Sequence, residues 1–221
     1  MSRFQTTAKK KLDPKNLSFV ILAAGECKQY RIKPLFRVDD ITLIEYQIRE
    51  IREAFGFSTD IIVVLGHELE KIYKYIPKGV RVIENQSYES TSSAVSLIMG
   101  LRACTTGNVY VSHGDIFFNR DILKLAVPES HTFGFAVEKD SGSKVGIIEQ
   151  GGDVQHFQYG LSIQWAQLFM LSDKDIDRYK LAFAKRKETQ PQLFEVLNEM
   201  GTRMKFINAN IKEVNSSKDL L

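Results

Sequence analysis

The stretch Phe19-Val20-Ile21-Leu22-Ala23-Ala24-Gly25 constrains this chain more than any other. It begins apolar and β-branched and ends in small residues, which is the pattern of a buried strand delivered straight into a tight turn. Eight residues after Gly25 comes Lys33-Pro34-Leu35. Strand, small-residue turn and lysine together suit a phosphate site. Backbone N–H groups can approach a polyphosphate closely where no bulky side chain intervenes, and an ammonium can neutralise charge that develops during phosphoryl or nucleotidyl transfer. Leu22, Ala23, Ala24 and Gly25 are therefore candidate nucleotide-binding residues, and Lys33 is a candidate catalytic residue.

Beyond this opening, short β-branched runs alternate with amphipathic stretches. Strands are predicted over 18–24, 60–65, 80–84 and 108–113, with helices over 43–55, 67–76 and 91–103. Such alternation implies βαβ crossovers and a mainly parallel sheet, with ligands bound beyond the carboxyl ends of its strands. Gly25 and Gly114-Asp115 would then emerge at one edge although about ninety residues separate them. The texture changes after Asp115. Four glycine-punctuated strands, 132–138, 145–150, 154–159 and 164–171, read as hairpins added to the core. Helices over 173–187 and 192–200 and short strands over 204–208 and 211–214 close the chain. The fold class is α/β: a Rossmann-like mixed, mainly parallel sheet flanked by helices, with an added β-rich insertion.

With 221 residues and 43% hydrophobic content the chain can bury one substantial core. The net charge of +3, from 30 basic and 27 acidic residues, owes much to Arg3, Lys9, Lys10, Lys11 and Lys15. A short polar segment of this kind reads as a solvated tail rather than a nucleic-acid or membrane contact. No apolar run approaches the roughly 20 residues of a membrane span, and no secretion signal is seen. Cys27 and Cys104 suggest neither a zinc site nor a disulfide framework, so a soluble cytoplasmic protein is expected.

Leu22-Ala23-Ala24-Gly25, Lys33-Pro34-Leu35 and Leu43-Ile44-Glu45-Tyr46-Gln47-Ile48 together resemble the opening of the nucleotidyltransferases that make NDP-sugars, CDP-choline and related activated alcohols. The chain departs from that pattern at Cys27, Gln29 and Ile32, where a glycine, an arginine and a proline are usual. Lys28 and Arg31 flank the missing arginine and are candidates to supply its charge. Val111-Ser112-His113-Gly114-Asp115 matches the family's strand-then-G-D motif, and Glu213-Val214-Asn215 its closing segment. The resemblance makes Asp115 and Asn215 the ligands of a catalytic Mg²⁺. One or two carboxylates suffice for that ion because it keeps several waters.

The segment from Asn85 through Tyr88, Thr91, Ser92 and Ser93 to Ser96-Leu97 is similar to the stretch found in cytidylyltransferases that act on small phosphorylated alcohols. Asn85, Ser92 and Ser93 are accordingly candidates to read base and ribose, with CTP favoured over UTP and dTTP. Equally, serines and threonines at a helix start are ordinary N-caps. For the acceptor, the resemblance directs attention to the aromatics Phe157, Tyr159, Trp165 and Phe169, which could cage a trimethylammonium group. Tyr159 and Trp165 stand as candidates, beside Glu195 and Asn198, which share a helix face at i, i+3 spacing. His113 and His156 could act as acid or base, but the reaction needs neither.

The organisation implied is a basic tail over 1–16 and one nucleotidyltransferase domain over 17–221, with a nucleotide-binding half at 17–130 and an acceptor-binding half at 131–221. The implied activity is Mg²⁺-dependent transfer of CMP from a nucleoside triphosphate to a small phosphorylated or phosphonylated alcohol or sugar phosphate, releasing pyrophosphate. Neither membrane nor nucleic acid is an expected partner, and a homodimer is compatible with the sequence. Two alternatives stay open: a catalytically silent nucleotide- or partner-binding protein on the same fold, and a sugar-1-phosphate uridylyl- or thymidylyltransferase.

Overall fold

A computed structural model describes residues 14–26, 32–125, 132–137, 142–201, 204–216 and 219. Strand β1, Leu17–Ala23, is followed by the two-residue strands β2, Arg37–Val38, and β3, Ile41–Thr42, then by helix α1, Leu43–Phe55. Next come β4, Asp60–Leu65; α2, Leu69–Tyr73; β5, Arg81–Glu84; α3, Ser93–Ala103; and β6, Asn108–His113. A short strand β7, Ile116–Phe117, and helix α4, Arg120–Leu123, lead to β8, Phe133–Val137. The remainder consists of β9, Val145–Gln150; β10, Asp153–Tyr159; β11, Gln164–Leu171; α5, Asp173–Arg186; α6, Leu193–Met200; β12, Met204–Asn208; and β13, Lys212–Glu213.

One nine-stranded sheet runs in the order β5-β4-β1-β6-β11-β8-β12-β10-β9. The pairings β5–β4, β4–β1 and β1–β6 are parallel, as the alternating strands and helices require. Beyond β6 the sheet continues through antiparallel pairs with β11, between β11 and β8, and between β10 and its neighbours. Only β8 and β12 are parallel there. The sheet is therefore mixed, and the hairpins expected of an added insertion extend the central sheet itself.

Period-2 alternation divides the core into two layers. From β1, Val20 and Leu22, and Ala24 just after it, face one side with Ala94, Leu97 and Leu101 of α3 and Val196 and Leu197 of α6. Leu17, Phe19, Ile21 and Ala23 face the other, with Ile44, Ile48 and Ile51 of α1. Every residue of β1 is buried, including Ser18, whose hydroxyl donates to Asp60 at 2.6 Å. Helix α1 begins at a capping box: Thr42 N donates to Glu45 Oε2 at 2.9 Å and Glu45 N donates back to Thr42 Oγ1 at 3.4 Å. The expected helix over 67–76 shrinks to five residues, because Glu68 at its start lies in the left-handed region at φ 52°.

Gly66 ends β4 where backbone and ring crowd together. A Cβ there would lie 2.7 Å from the Ala24 carbonyl oxygen and 2.7 Å from Tyr88 Cβ. Gly66→Ala should therefore destabilise the fold by about 1–3 kcal/mol, as overpacking does elsewhere. Urea unfolding monitored by circular dichroism checks this; an unchanged midpoint would contradict the close approach.

Candidate active site

The carboxyl ends of β1, β4 and β6 open into a cleft of about 310 Å³. Leu22, Ala23, Ala24 and Gly25 line it together with Lys33, Pro34, His67, Asn85, Tyr88, Ser92, Ser93, His113 and Asp115. Parallel pairing explains this convergence. Leu22 stands opposite His113, and Gly114 N donates to the Leu22 carbonyl at 2.8 Å, so the G-D turn leaves the sheet beside the L-A-A-G turn. A Cβ at Gly114 would lie 2.8 Å from Ala23 Cβ and 3.3 Å from Pro34 Cγ. Only glycine lets the Lys33–Leu35 turn settle this closely over β6.

Lys33 is the hub of the cleft. Its Nζ donates to Asp115 Oδ2 at 2.8 Å and to Asn215 Oδ1 at 2.8 Å, and lies 3.7 Å from Glu213 Oε1. The other Glu213 oxygen pairs with Lys144 at 2.7 Å. Lys33 itself sits in a 3-10 turn over Lys33–Leu35, with Leu35 N donating to the Ile32 carbonyl at 2.9 Å. The C-terminal segment reaches the site by pairing β13 with β7 and by donating Val214 N to the Asp115 carbonyl at 2.7 Å. Asp219 then accepts from the backbone N–H groups of Asn215 at 2.8 Å and Ser216 at 2.7 Å. Those bonds hold its carboxyl below the usual carboxylate range.

Asp115, Glu213 and Asn215 present hard oxygen donors around the Lys33 ammonium, and their chemistry fits Mg²⁺. Among the described residues no group of three His, Cys, Asp or Glu side chains forms a closed metal site.

The remaining candidates fall into three groups. Ser92 and Ser93 line the cleft at the start of α3, and Ser92 Oγ donates to the Pro191 carbonyl at 2.5 Å. Asn85 also lines it, but its amide donates to Thr91 Oγ1 at 3.0 Å and Ser96 Oγ at 3.1 Å and accepts from Ser87 N at 3.1 Å. Its polar groups brace the loop. Lys28 and Arg31, with Cys27 and Gln29, lie outside the described residues.

None of the four acceptor candidates lines this cleft. Trp165 is 4% exposed and packs edge-on against Phe157 at 5.1 Å and beside Phe169 at 5.7 Å, so these three aromatics are core. Tyr159 is exposed and leans against Phe194. Asn198 spends its side chain on the backbone of Phe157, accepting from its N–H at 2.9 Å and donating to its carbonyl at 2.8 Å. Glu195 caps α6 by accepting from Gln192 N at 2.6 Å. Glu213, Lys144, His67 and Tyr88 were not singled out from the sequence. Glu213 and Tyr88 had signals there, from the Glu213-Val214-Asn215 segment and the stretch between Asn85 and Leu97.

The chain belongs to the MobA-like NTP transferase domain family, whose model matches residues 19–194. It is thus a nucleotidyltransferase by family. A bifunctional IPC transferase and DIPP synthase of Rubrobacter xylanophilus is 42% identical over 77 residues, which are 31% of this chain and 17% of that protein. The chain thus spans a small part of that relative's length. Among solved structures, the CTP:phosphocholine cytidylyltransferase of Streptococcus pneumoniae superposes with a TM-score of 0.68 at 19% identity, covering 92% of this chain and 96% of that one. The inositol-1-phosphate CTP transferase of T. maritima gives 0.72 at 18%, covering 93% and 91%. A nucleoside-diphosphate-sugar pyrophosphorylase of Vibrio cholerae gives 0.71 at 13%, covering 92% and 99%. At these identities the likeness is one of fold. Among the described residues no helix is long and apolar enough to cross a membrane.

Burial lowers the proton affinity of His113 below its ordinary value of 6.5, with Lys33 acting the same way and Asp115 and Glu213 opposing. The unfolded chain then takes up this proton more readily than the folded one, so stability falls as pH drops below about 6.5. His113→Asn should reduce the loss of stability between pH 7 and pH 5. Urea midpoints at both pH values check this, and an equal loss in variant and wild type would refute it.

Proposed function

We propose that this protein transfers CMP from CTP to a small phosphorylated alcohol and releases pyrophosphate. The observation that carries this reading is the contact of Lys33 with both Asp115 and Asn215 at 2.8 Å, across 82 and 182 residues of sequence, at a cleft lined by the L-A-A-G turn. The choice of CTP follows the names of two proteins that share the fold, a CTP:phosphocholine cytidylyltransferase and an inositol-1-phosphate CTP transferase.

In this reaction an anionic phosphate oxygen of the acceptor attacks the α-phosphorus of the nucleotide in line. A new P–O bond forms, the bond between the α-phosphorus and the bridging oxygen breaks, and pyrophosphate carries that oxygen away. The nucleophile is already ionised, so no general base is required, and His113 and His156 stay out of the chemistry. Catalysis rests on position and on charge neutralisation. The L-A-A-G backbone receives the nucleotide, and Lys33 binds phosphate oxygens on which negative charge develops. Lys144 shares Glu213 with Lys33 and offers a second ammonium to an incoming acceptor phosphate. Asp115 and Asn215, with Glu213 beside them, would hold Mg²⁺, whose charge spreads over the triphosphate and leaving group.

Lys33→Ala should lower kcat for pyrophosphate release on the order of 10²–10³-fold, as removal of one preorganised charge-stabilising group does. Its cost to the fold should stay near 1 kcal/mol because Lys33 is partly exposed. A folded variant with full pyrophosphate release would exclude this role. In thermal-shift measurements, CTP with Mg²⁺ at about 100 times its dissociation constant should stabilise the fold by roughly 2.7 kcal/mol. A larger shift with UTP or dTTP would reassign the donor, and no shift with any triphosphate would overturn the reading.

A further inference from the structure

Gln47 is a polar residue in the wrong company. It lies on the inward stripe of α1 with Ile44, Ile48 and Ile51, and it is completely buried. A buried amide at such a position is costly unless its hydrogens are bonded. Both are: Nε2 donates to the His113 carbonyl at 2.9 Å and to the Ile116 carbonyl at 2.5 Å. These two carbonyls bracket Gly114-Asp115, where β6 has ended and β7 is only beginning. The turn has two further ties, Gly114 N to the Leu22 carbonyl and Val214 N to the Asp115 carbonyl. At the start of the same helix, Leu43 N donates at 2.7 Å to the carbonyl of Phe36, whose own N–H donates to the Lys33 carbonyl at 3.0 Å. One rigid helix thus grips the lysine turn at its first residue and the aspartate turn one helical turn later.

We infer that Gln47 is the positioning residue that sets the Asp115 carboxylate against Lys33, and thereby the affinity of the site for a divalent cation. The metal part of this inference rests on the function proposed above; the hold on the turn does not. Gln47 touches neither substrate nor metal and acts only through the backbone of the G-D turn. Replacing its two donors with a side chain of equal length leaves two buried carbonyls unpaired and frees the turn to shift.

The test compares wild type, Gln47→Met and Glu50→Gln. Glu50 is a control on the same helix: it is also buried, but it accepts from Arg120 N at 2.8 Å, away from the cleft. Amide hydrogen exchange is measured at Gly114 and Val214, with Val63 of β4 as internal reference. Mn²⁺ binding in the presence of CTP is followed by electron paramagnetic resonance, and pyrophosphate release is titrated with Mg²⁺. In Gln47→Met, exchange at Gly114 and Val214 should quicken about tenfold relative to Val63, beyond any change in Glu50→Gln. Mn²⁺ affinity and half-saturating Mg²⁺ should worsen on the order of 10-fold, the usual effect of losing an outer-shell partner, with KM for CTP unchanged at saturating metal.

Unaltered exchange at both amides, or a metal dependence no different from that of Glu50→Gln, would overturn the inference. If Gln47→Met does not fold, Gln47→Glu takes its place, since as a neutral acid it keeps one of the two donors. If wild type binds no triphosphate and releases no pyrophosphate, the proposed function fails. Amide exchange, which needs no turnover, still decides whether Gln47 holds the turn.

Discussion

Parallel pairing of β1 with β4 on one side and β6 on the other is the constraint from which the site follows. A parallel sheet sends successive strands out at the same edge, so the turn after β1 and the turn after β6 must meet. Register then fixes how they meet: Leu22 opposite His113 brings the Gly114 N–H onto the Leu22 carbonyl. Shifting β6 by one residue would exchange its two faces. It would turn Val109 and Val111 from the α3 side toward the layer that now holds Tyr110, and the G-D turn would no longer face Lys33.

Around that edge the chain concentrates charge in a narrow place. One ammonium, Lys33, meets a carboxylate and an amide oxygen within hydrogen-bond reach, with a second carboxylate just beyond. The ammonium, the first carboxylate and the amide come from three parts of the sequence, and each is held by backbone. Lys33 rides a 3-10 turn that contains Pro34, Asp115 a glycine turn, and Asn215 a segment tied down by Asp219. Such preorganisation suits a reaction whose barrier is mostly electrostatic, because little must move as charge develops.

The antiparallel half has a plainer role than its aromatic content suggests. Phe157, Trp165 and Phe169 stack into the layer under α5 and α6, while Asn198 and Glu195 are absorbed in joining α6 to β10 and in capping α6. Alternating aromatics on a strand that later proves central have nowhere to go but the core. What the second half does bring near Lys33 is less conspicuous: Glu213 in β13, with Lys144 before β9 paired to it.

Local chemistry alone announced the strand over 18–24, the small-residue turn, the helix over 43–55, and the lysine and aspartate that would share an edge. Strand pairing and helix starts are written in short-range patterns, and a parallel sheet has few ways to assemble them. Only the tertiary structure decided which polar side chains face the cleft and which are spent on the chain itself. Asn85, Asn198 and Glu195 look in sequence like ligand-binding groups, yet each is satisfied by a neighbour that only the folded backbone supplies. Gln47 is the reverse case. Its one sequence signal was a polar residue on an apolar helix stripe, and its meaning waited on two carbonyls 66 and 69 residues away. Partners that far along the chain are set by long-range packing, and no local pattern encodes them.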